Sequence, residues 1–354
     1  MSDVRVEKVD VGVLGATGMV GQQFLRLLDQ HPLFNPVWLA ASERSEGRLY
    51  KDAATWRLAG RAPSVTEGRR VEACEPGKGP RLVFSALDAA AADHIEPAFA
   101  AAGHLVVSNA RSFRMMDDVP LLIPEINPDH LALIDVQRRA RRWRGAIVTN
   151  PNCSTLVLAM ALAPLRQFGL QTVLTTTLQA VSGAGYPGVP SFDILGNVIP
   201  GISGEEEKIE SEPNKILGSL DGDRVTPHPA ILSAHTNRVA VLDGHTLTVS
   251  VSLEAKPSPE ALVRALREWR GRPQELQLPS APEFPVEVLE EPLRPQPRLD
   301  VDRGAGMTVT IGRVRQCPVL GIKFVALGHN TVRGAAGAAI LNAELMHAEG
   351  WLDR

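Results

Sequence analysis

One cysteine stands where its sulfur could act as a nucleophile. Cys153 lies in the run NPNCST at 150–155, which follows a predicted strand and begins an apolar helix. The first N–H groups of a helix lack partners within the helix, and the helix dipole is positive there, so a thiolate is stabilised. The same N–H groups, assisted by Asn152, could hold an oxyanion formed on an attacked carbonyl. The alternative is a small buried cysteine, which remains the default for Cys74 and Cys317.

A second candidate site is the glycine-rich turn GATGMVG at 15–21, between a predicted strand and an amphipathic helix. Gly15 permits a tight turn, Gly18 lets a pyrophosphate approach the backbone, and Gly21 lets the helix lie close to the strand. This position favours a nicotinamide or flavin dinucleotide over a purely structural turn. The residues expected to contact the nucleotide are Gly15, Thr17, Gly18, Met19, Val20 and, at the end of a later strand, Ser85.

The end of the second predicted strand bears on which nucleotide binds. An acidic residue there would favour NAD, whereas arginine or serine would favour NADP. Ser42 occupies the position of the acid, so we expect Ser42, Arg44 and Ser45 to bind a 2′-phosphate and NADP to be the cofactor. Glu43 keeps NAD open, and an ordinary polar turn is the structural alternative.

The composition narrows the class of protein. The 354 residues are 22% charged and 44% hydrophobic, with 37 basic and 40 acidic side chains, which is typical of a globular protein and not of a fibre or a disordered chain. We expect no nucleic-acid partner, because the arginines at 138–144 fit a solvated helix face. No apolar run is long enough to span a membrane, and Met1–Asp10 lacks a signal pattern, so we expect a cytoplasmic protein.

The cysteines and histidines do not predict a metal site. The three cysteines are odd in number and form no CxxC pair, and the histidines show no ligand spacing. We therefore expect neither a disulfide framework nor a metal.

The order of predicted elements indicates two domains. Strands and helices alternate up to 149, which predicts a parallel sheet with helices on both faces. Longer β-rich runs follow, including Arg238–Glu254, and predict an α+β domain with an open, largely antiparallel sheet. We assign 1–150 to a nucleotide-binding domain, 151–330 to a catalytic domain, and 331–354 to a helix that packs back on the first domain.

Six blocks of sequence, in order, resemble the aspartate-β-semialdehyde dehydrogenase family in its archaeal and fungal branch. They are GATGMVGQ at 15–22, SNARSFRMMDDVPLLIPEIN at 108–127, NPNCST at 150–155, LQAVSGAG at 178–185, EEEKIESEPNKIL at 205–217 and RVAVLDGHT at 238–246. One departure is His329, where an acidic residue would be expected before Asn330.

The resemblance implies a fold, a reaction and an assembly. The fold would be a Rossmann-type domain followed by a catalytic and dimerisation domain of the glyceraldehyde-3-phosphate dehydrogenase-like kind. The reaction would be the NADPH-dependent reductive dephosphorylation of L-β-aspartyl phosphate to L-aspartate-4-semialdehyde through a cysteine thioester. It belongs to lysine, methionine and threonine biosynthesis. The assembly would be a homodimer or homotetramer, with no membrane partner.

The resemblance also implies residue roles around the thioester. Cys153 would attack the acyl phosphate, His245 would act as general base or acid, and Gln179 would orient the thioester. Ser182, Gly183 and Asn330 would lie on the cofactor side. A histidine or glutamine in a strand, and a glycine loop, can equally be structural.

Substrate charges would be bound by a second set of residues. By resemblance Arg238 would bind the α-carboxylate, Glu205 the α-ammonium, and Lys208 and Arg114 the phosphate side. Glu206 and Glu207 are chemically equivalent to Glu205, and an i,i+3 pair is also a common surface ion pair. The seven-residue spacing of Arg238 and His245 puts them on opposite strand faces, so both can reach one site only through a bend at 243–244.

Other functions share these features. N-acetylglutamyl-phosphate reductase and malonyl-CoA reductase would keep the fold and thiol, but Glu205, Lys208 and Arg238 suit a free amino acid. A non-catalytic nucleotide-binding sensor is disfavoured because Cys153, His245, Gln179 and Arg238 are all present.

Overall fold

The chain divides into two compact units in a computed structural model that describes residues 8–354. The N-terminal segment from which a cytoplasmic location was expected lies largely outside the described residues. The first unit contains residues 8–120, 131–150 and 339–354, and the second contains 121–130 and 151–338. The segments 121–130 and 331–338 thus belong to the second unit, unlike the sequence assignment. The reason is apolar burial, because Leu121, Ile123 and Ala338 join the hydrophobic core of that unit.

The first unit is a parallel α/β sheet, as predicted. Its six strands lie in the order β3-β2-β1-β4-β5-β6, and all pairs are parallel. The strands are β1 (Val9–Leu14), β2 (Phe34–Ala41), β3 (Glu72–Ala73), β4 (Leu82–Ser85), β5 (Leu105–Ser108) and β6 (Ala146–Thr149). The helices are α1 (Met19–Leu28), α2 (Tyr50–Ala53), α3 (Ala89–Ala102) and α4 (Leu133–Arg141). Apolar runs buried on both faces explain this sheet, with Val83, Val106 and Ile147 in its core.

The second unit contains a seven-stranded mixed sheet in the order β13-β14-β15-β12-β7-β11-β8. Only the pairs β7–β11 and β13–β14 are parallel among its described pairs, so the prediction of a largely antiparallel sheet is confirmed. Its strands are β7 (Leu170–Gln179), β8 (Ile199–Pro200), β11 (Ile231–Arg238), β12 (His245–Leu253), β13 (Val286–Leu289), β14 (Val309–Cys317) and β15 (Gly321–Gly328). A separate hairpin pairs β9 (Ser219–Asp221) with β10 (Arg224–Thr226).

The helices of the second unit are led by the one that begins at the candidate nucleophile. They are α5 (Cys153–Leu162), α6 (Ser191–Ile194), α7 (Glu205–Ile216), α8 (Pro259–Glu268), α9 (Arg272–Glu275) and α10 (Pro297–Asp300). A π-helical turn at Val332–Ala336 precedes α11 (Gly337–Ala348), most of which belongs to the first unit. Among residues 8–354, no helix is long and apolar enough to cross a membrane.

Helix α5 is held by apolar packing on all sides. Every residue from Ser154 to Leu162 is buried, and the core around it includes strand residues such as Val249 and Phe324. A helix that is apolar all round is typical of a buried position. Each fully buried leucine or valine contributes about 1.5–3 kcal/mol, so this packing fixes the residue at which the helix begins.

Arg238 and His245 lie on two different strands, so the single β-rich run predicted over Arg238–Glu254 is wrong. Strand β11 ends at Arg238 and β12 begins at His245, and both pair with β7, one on each side. The two side chains therefore meet through the sheet and not through a bend within one strand. Gln179, the last residue of β7, lies opposite Arg238 in the register.

Candidate active site

The sulfur of Cys153 lies 3.1 Å from Nε2 of His245. Cys153 is the first residue of α5, and the preceding Asn152 is its N-cap. Oδ1 of Asn152 accepts hydrogen bonds from the backbone N–H groups of Ser154 (2.9 Å) and Thr155 (3.1 Å). These two N–H groups, which the sequence assigned to an oxyanion, are therefore bound to the cap. The cap fixes the helix start and with it the sulfur.

His245 is fully buried, and its hydrogen bonds define its tautomer. Nδ1 accepts a bond of 3.1 Å from the backbone N–H of Ala180. A backbone N–H can only donate, so the proton of the neutral ring lies on Nε2, and the sulfur accepts the bond from Nε2–H. Burial lowers the pKa of His245 to about 3, and the positive charge of Arg238 acts in the same direction. The ring is therefore neutral near pH 7 and stabilises a thiolate as a hydrogen-bond donor.

Arg238 brings positive charge into this cluster. Its side chain is buried, and Nη1 donates to the carbonyl of Ala180 at 2.7 Å. Burial lowers the pKa of Arg238, while Cys153 and Glu205 act in the opposite direction. The guanidinium ion remains charged in such a setting, because arginine is not deprotonated in proteins.

Glu205 is the glutamate of the acidic run that reaches the site. Its Oε2 accepts from Nδ2 of Asn152 (2.8 Å) and Nε2 of Gln179 (3.4 Å), and its Oε1 pairs with Nζ of Lys208 at 2.7 Å. Burial raises the pKa of Glu205, but the bonds from Lys208, Asn152 and Gln179 outweigh burial, and the net pKa lies below its usual value. Glu206 instead binds the backbone N–H of Thr236, and the neighbouring Glu207 is exposed.

The loop after β7 packs directly on the histidine. An added Cβ at Gly183 would lie 2.9 Å from Nη1 of Arg238 and 3.0 Å from Cε1 of His245, so the position has no room for a side chain. Asn330 connects this loop to the residue that precedes β12. Its Nδ2 donates to Oγ of Ser182, and its Oδ1 accepts from the N–H of Gly244, both at 2.8 Å.

The first unit has a cleft that fits a dinucleotide. It measures about 470 Å³, and its lining includes Gly15, Thr17, Gly18, Ser42 and Glu43. Gly15 has φ +74°, and a Cβ there would lie 2.7 Å from the carbonyl oxygen of Ala86. A Cβ at Gly18 would meet nothing nearer than 3.5 Å, which leaves the start of α1 open to a phosphate. Gly18 is the N-cap of α1 and has no side chain to compete with the anion.

The predicted 2′-phosphate residues are placed differently from one another. Ser42 lines the cleft, Ser45 is buried, and Arg44 is exposed and is not among the residues that line it. Two acids, Glu43 and Glu46, line the cleft near Ser42. Met19 and Val20 begin α1 and are partly buried beside the cleft glycines.

Ser85 and Arg114 also lie in the first unit and are both buried. Ser85 is the last residue of β4, and Nη2 of Arg114 donates to the carbonyl of Asn109 at 2.8 Å. Neither is among the residues that line the cleft.

Glu96 on α3 gives the first unit a testable pH dependence. Its carboxyl is buried and accepts from Oγ of Ser108 at 2.7 Å, and burial raises its pKa to about 7. The unfolded chain releases this proton at lower pH, so stability falls as the pH rises from about 4.5 to 7. Glu96→Gln removes this titration. Its free energy of unfolding, relative to that of the wild type, should therefore rise by about 3 kcal/mol between pH 4.5 and pH 8.

Denaturant unfolding of both proteins at the two pH values measures this gain. Glu67→Gln, at an exposed position of the same unit, is the control. If the difference between Glu96→Gln and the wild type is the same at both pH values, the buried carboxyl is not responsible.

Two contacts at the nucleophile were not predicted from the sequence. Oε2 of Glu212 accepts a bond of 2.7 Å from the backbone N–H of Asn152. Gly334, in the π-helical turn, lies against Cys153, because a Cβ at 334 would be 2.6 Å from Cβ of the cysteine. Glu212 could have been found from its spacing, seven residues after Glu205 on one helix face. Gly334 has no sequence signal.

No group of three or more His, Cys, Asp or Glu side chains within residues 8–354 could hold a metal ion. The three cysteines, which all lie within residues 8–354, form no disulfide.

Two family models match the chain and define its class. One is described as "Semialdehyde dehydrogenase, NAD binding domain" and matches residues 10–134, and the other as "Semialdehyde dehydrogenase, dimerisation domain" and matches 162–333. With the nucleotide cleft and the cysteine–histidine pair, these matches define a semialdehyde dehydrogenase with a dimerisation domain.

Relatives narrow the class to one family. An aspartate-semialdehyde dehydrogenase from Archaeoglobus fulgidus is 50% identical over 97% of this chain and 99% of its own length. One from Candida albicans is 45% identical, covering 96% of this chain and 98% of its own. A crystal structure of the Candida albicans enzyme with NADP superposes with a TM-score of 0.89 at 42% identity, covering 97% of this chain and 99% of that one. The chain belongs to the aspartate-semialdehyde dehydrogenase family, which confirms the resemblance read from the sequence.

Proposed function

We propose that the protein catalyses the NADPH-dependent reductive dephosphorylation of L-β-aspartyl phosphate to L-aspartate-4-semialdehyde, and the reverse oxidation with phosphate as acceptor. The observation that carries the proposal is the 3.1 Å contact between the sulfur of Cys153 and Nε2 of His245. The full-length similarity to aspartate-semialdehyde dehydrogenases supports the choice of substrate.

In this proposal the sulfur carries the acyl group. The Cys153 thiolate attacks the acyl carbon, the bond to phosphate breaks, and inorganic phosphate leaves with the electron pair. Gly15, Thr17 and Gly18 would hold NADPH, which when bound would supply the hydride for reduction of the thioester. Nε2–H of His245 donates a hydrogen bond to the oxygen anion of the resulting thiohemiacetal, and collapse of this anion breaks the C–S bond and releases the semialdehyde and the thiolate. Gln179 orients the acyl group, and Ser182, Gly183 and Asn330 shape the cofactor side.

The charges of the cluster match a free amino acid. A substrate with an α-carboxylate and an α-ammonium group would pair with Arg238 and Glu205, while Lys208 and Arg114 would receive the phosphate. An N-acetylated substrate has no ammonium group for Glu205, and a malonyl thioester has none either. The buried carboxylate of Glu205, whose pKa is held low by its partners, therefore favours aspartyl phosphate.

Steady-state assays with purified protein test this function. We expect rapid reduction of NADP with aspartate semialdehyde and phosphate, and slower reduction with NAD. N-acetylglutamate semialdehyde with phosphate, and malonate semialdehyde with coenzyme A, should give rates at background. The proposal would be contradicted if either of these two aldehydes reacted faster than aspartate semialdehyde. It would also be contradicted if none of the three aldehydes reacted.

The assembly that we propose is a homodimer or a homotetramer in the cytoplasm. One face of the second-unit sheet exposes apolar side chains, among them Leu174, Leu178 and Ile231, and the family model for this region describes a dimerisation domain. Exposed apolar faces of this kind are typical of subunit contacts. Sedimentation equilibrium measures the mass, and a monomer at micromolar concentration would contradict the assembly.

A further inference from the structure

Helix α7 presents its glutamates to two different parts of the second unit. Glu206 and Glu210 accept hydrogen bonds from backbone N–H groups of β11, at Thr236 and Ala234, each at 2.9 Å. Glu205 and Glu212, seven residues apart on one face of the helix, both bind Asn152. The helix therefore supports the sheet with one pair of carboxylates and the start of α5 with the other.

Each polar group of Asn152 has a partner. Its N–H donates to Oε2 of Glu212 at 2.7 Å, Nδ2 donates to Glu205, and its carbonyl accepts from the N–H of Leu156. Oδ1 is occupied by the N–H groups that it caps. Among these partners within residues 8–354, only Glu212 binds the N–H of the peptide bond between Pro151 and Asn152.

The hydrogen bond that Glu212 accepts can fix the position of the Asn152 backbone. The Glu212 side chain is only 2% exposed, so water does not compete for the acceptor oxygen, and a hydrogen bond is stronger in such a buried setting than in water. The sulfur lies one residue further along the chain, so the orientation of this peptide group sets the direction from which Cys153 approaches His245.

We propose that Glu212 is a positioning residue for the nucleophile. It holds the backbone of Asn152 so that the cap, the sulfur and Nε2 of His245 stay in the geometry required for attack. The inference rests on the proposed function in taking Cys153 as the nucleophile, but it concerns the geometry of the thiolate before any substrate binds.

The test compares Glu212→Gln and Glu212→Ala with Glu210→Gln. Glu210 is a matched control, because it lies on the same helix and also binds a backbone N–H, but on β11. Two quantities are measured: kcat and KM for aspartate semialdehyde, and the rate at which iodoacetamide alkylates Cys153 without substrate. Peptide mapping by mass spectrometry separates Cys153 from Cys74 and Cys317.

Misplacement of reacting atoms by about 1 Å can cost 100-fold in rate, so we expect kcat to fall about 100-fold in Glu212→Ala, with KM changed less than three-fold. Glu212→Gln keeps an acceptor oxygen, so its kcat should fall only about ten-fold below that of the wild type. The alkylation rate should follow the same order, and Glu210→Gln should stay within two-fold of the wild type in both measurements.

Other outcomes overturn the proposal. Alkylation within two-fold of wild type in Glu212→Gln and Glu212→Ala would show that Glu212 does not position the sulfur. Equal losses in Glu212→Gln and Glu210→Gln would indicate a general effect of the helix. If Glu212→Ala does not fold, the isosteric Glu212→Gln decides by the same criterion. If the wild type fails to oxidise aspartate semialdehyde, the proposed function fails, while the alkylation rates still decide the role of Glu212.

Discussion

Cys153→Ser is expected to lower kcat/KM for aspartate semialdehyde by at least about 10⁴-fold, because a serine hydroxyl is not ionised near pH 7 and is a poor acyl acceptor. The substitution changes one atom, and Asn152 would still cap the same helix through its bonds to residues 154 and 155. The loss would therefore report the chemistry of the sulfur and not a change of fold.

The measurement combines initial rates with NADP binding followed by fluorescence. NADP affinity should stay within two-fold of the wild type, since the nucleotide cleft is lined by other residues. Cys317→Ser is the control, as this free cysteine lies at the end of β14, and it should keep full activity. Activity of Cys153→Ser above one hundredth of wild type would rule out the thioester mechanism.

His245→Ala is expected to reduce kcat by about 10²–10³-fold, the usual cost of removing one donor that stabilises an oxyanion. The variant loses the Nε2–H group that donates to the sulfur and that would donate to the oxygen anion of the intermediate. Alkylation of Cys153 should also slow, because the thiolate loses its donor. The control is His94→Ala, at an exposed position of α3, which should behave as the wild type.

The pH profile provides a second test of His245. Burial holds the pKa of His245 to about 3, so the ring stays neutral through the ordinary assay range. For the free enzyme, kcat/KM should therefore show no loss of activity with a midpoint near 6.5, the usual pKa of histidine. A fall with that midpoint, present in the wild type and absent in His245→Ala, would contradict the buried neutral ring.

Local features of the site could be predicted from the sequence, because they depend on neighbours along the chain. The strand and the helix predicted on either side of the glycine-rich turn at 15–21 are present as β1 and α1. The position of Cys153 at the start of a helix follows equally from NPNCST and the apolar run after it. The sequence could not show which glutamate of the acidic run contacts Asn152, since Glu205 differs from Glu206 only in the direction it faces.

Features that depend on strand pairing could not be predicted in this way. The sequence predicted that Arg238 and His245 lie on one bent strand. In the structure they lie on β11 and β12, which pair with opposite sides of β7. The bond between Glu212 and Asn152 joins residues 60 positions apart. The contact of Gly334 with Cys153 depends on a π-helical turn that an alanine-rich helix pattern does not reveal.

Gly183 and Gly334 limit which substitutions could make this enzyme resistant to an electrophilic inhibitor that alkylates Cys153. A larger side chain next to Cys153 would be one way to keep such a compound from the sulfur. Here a methyl group at 334 would press on the cysteine, and one at 183 would press on Arg238 and His245. Either change would damage catalysis along with inhibitor binding, so selection under such a compound would have few viable substitutions at these two positions.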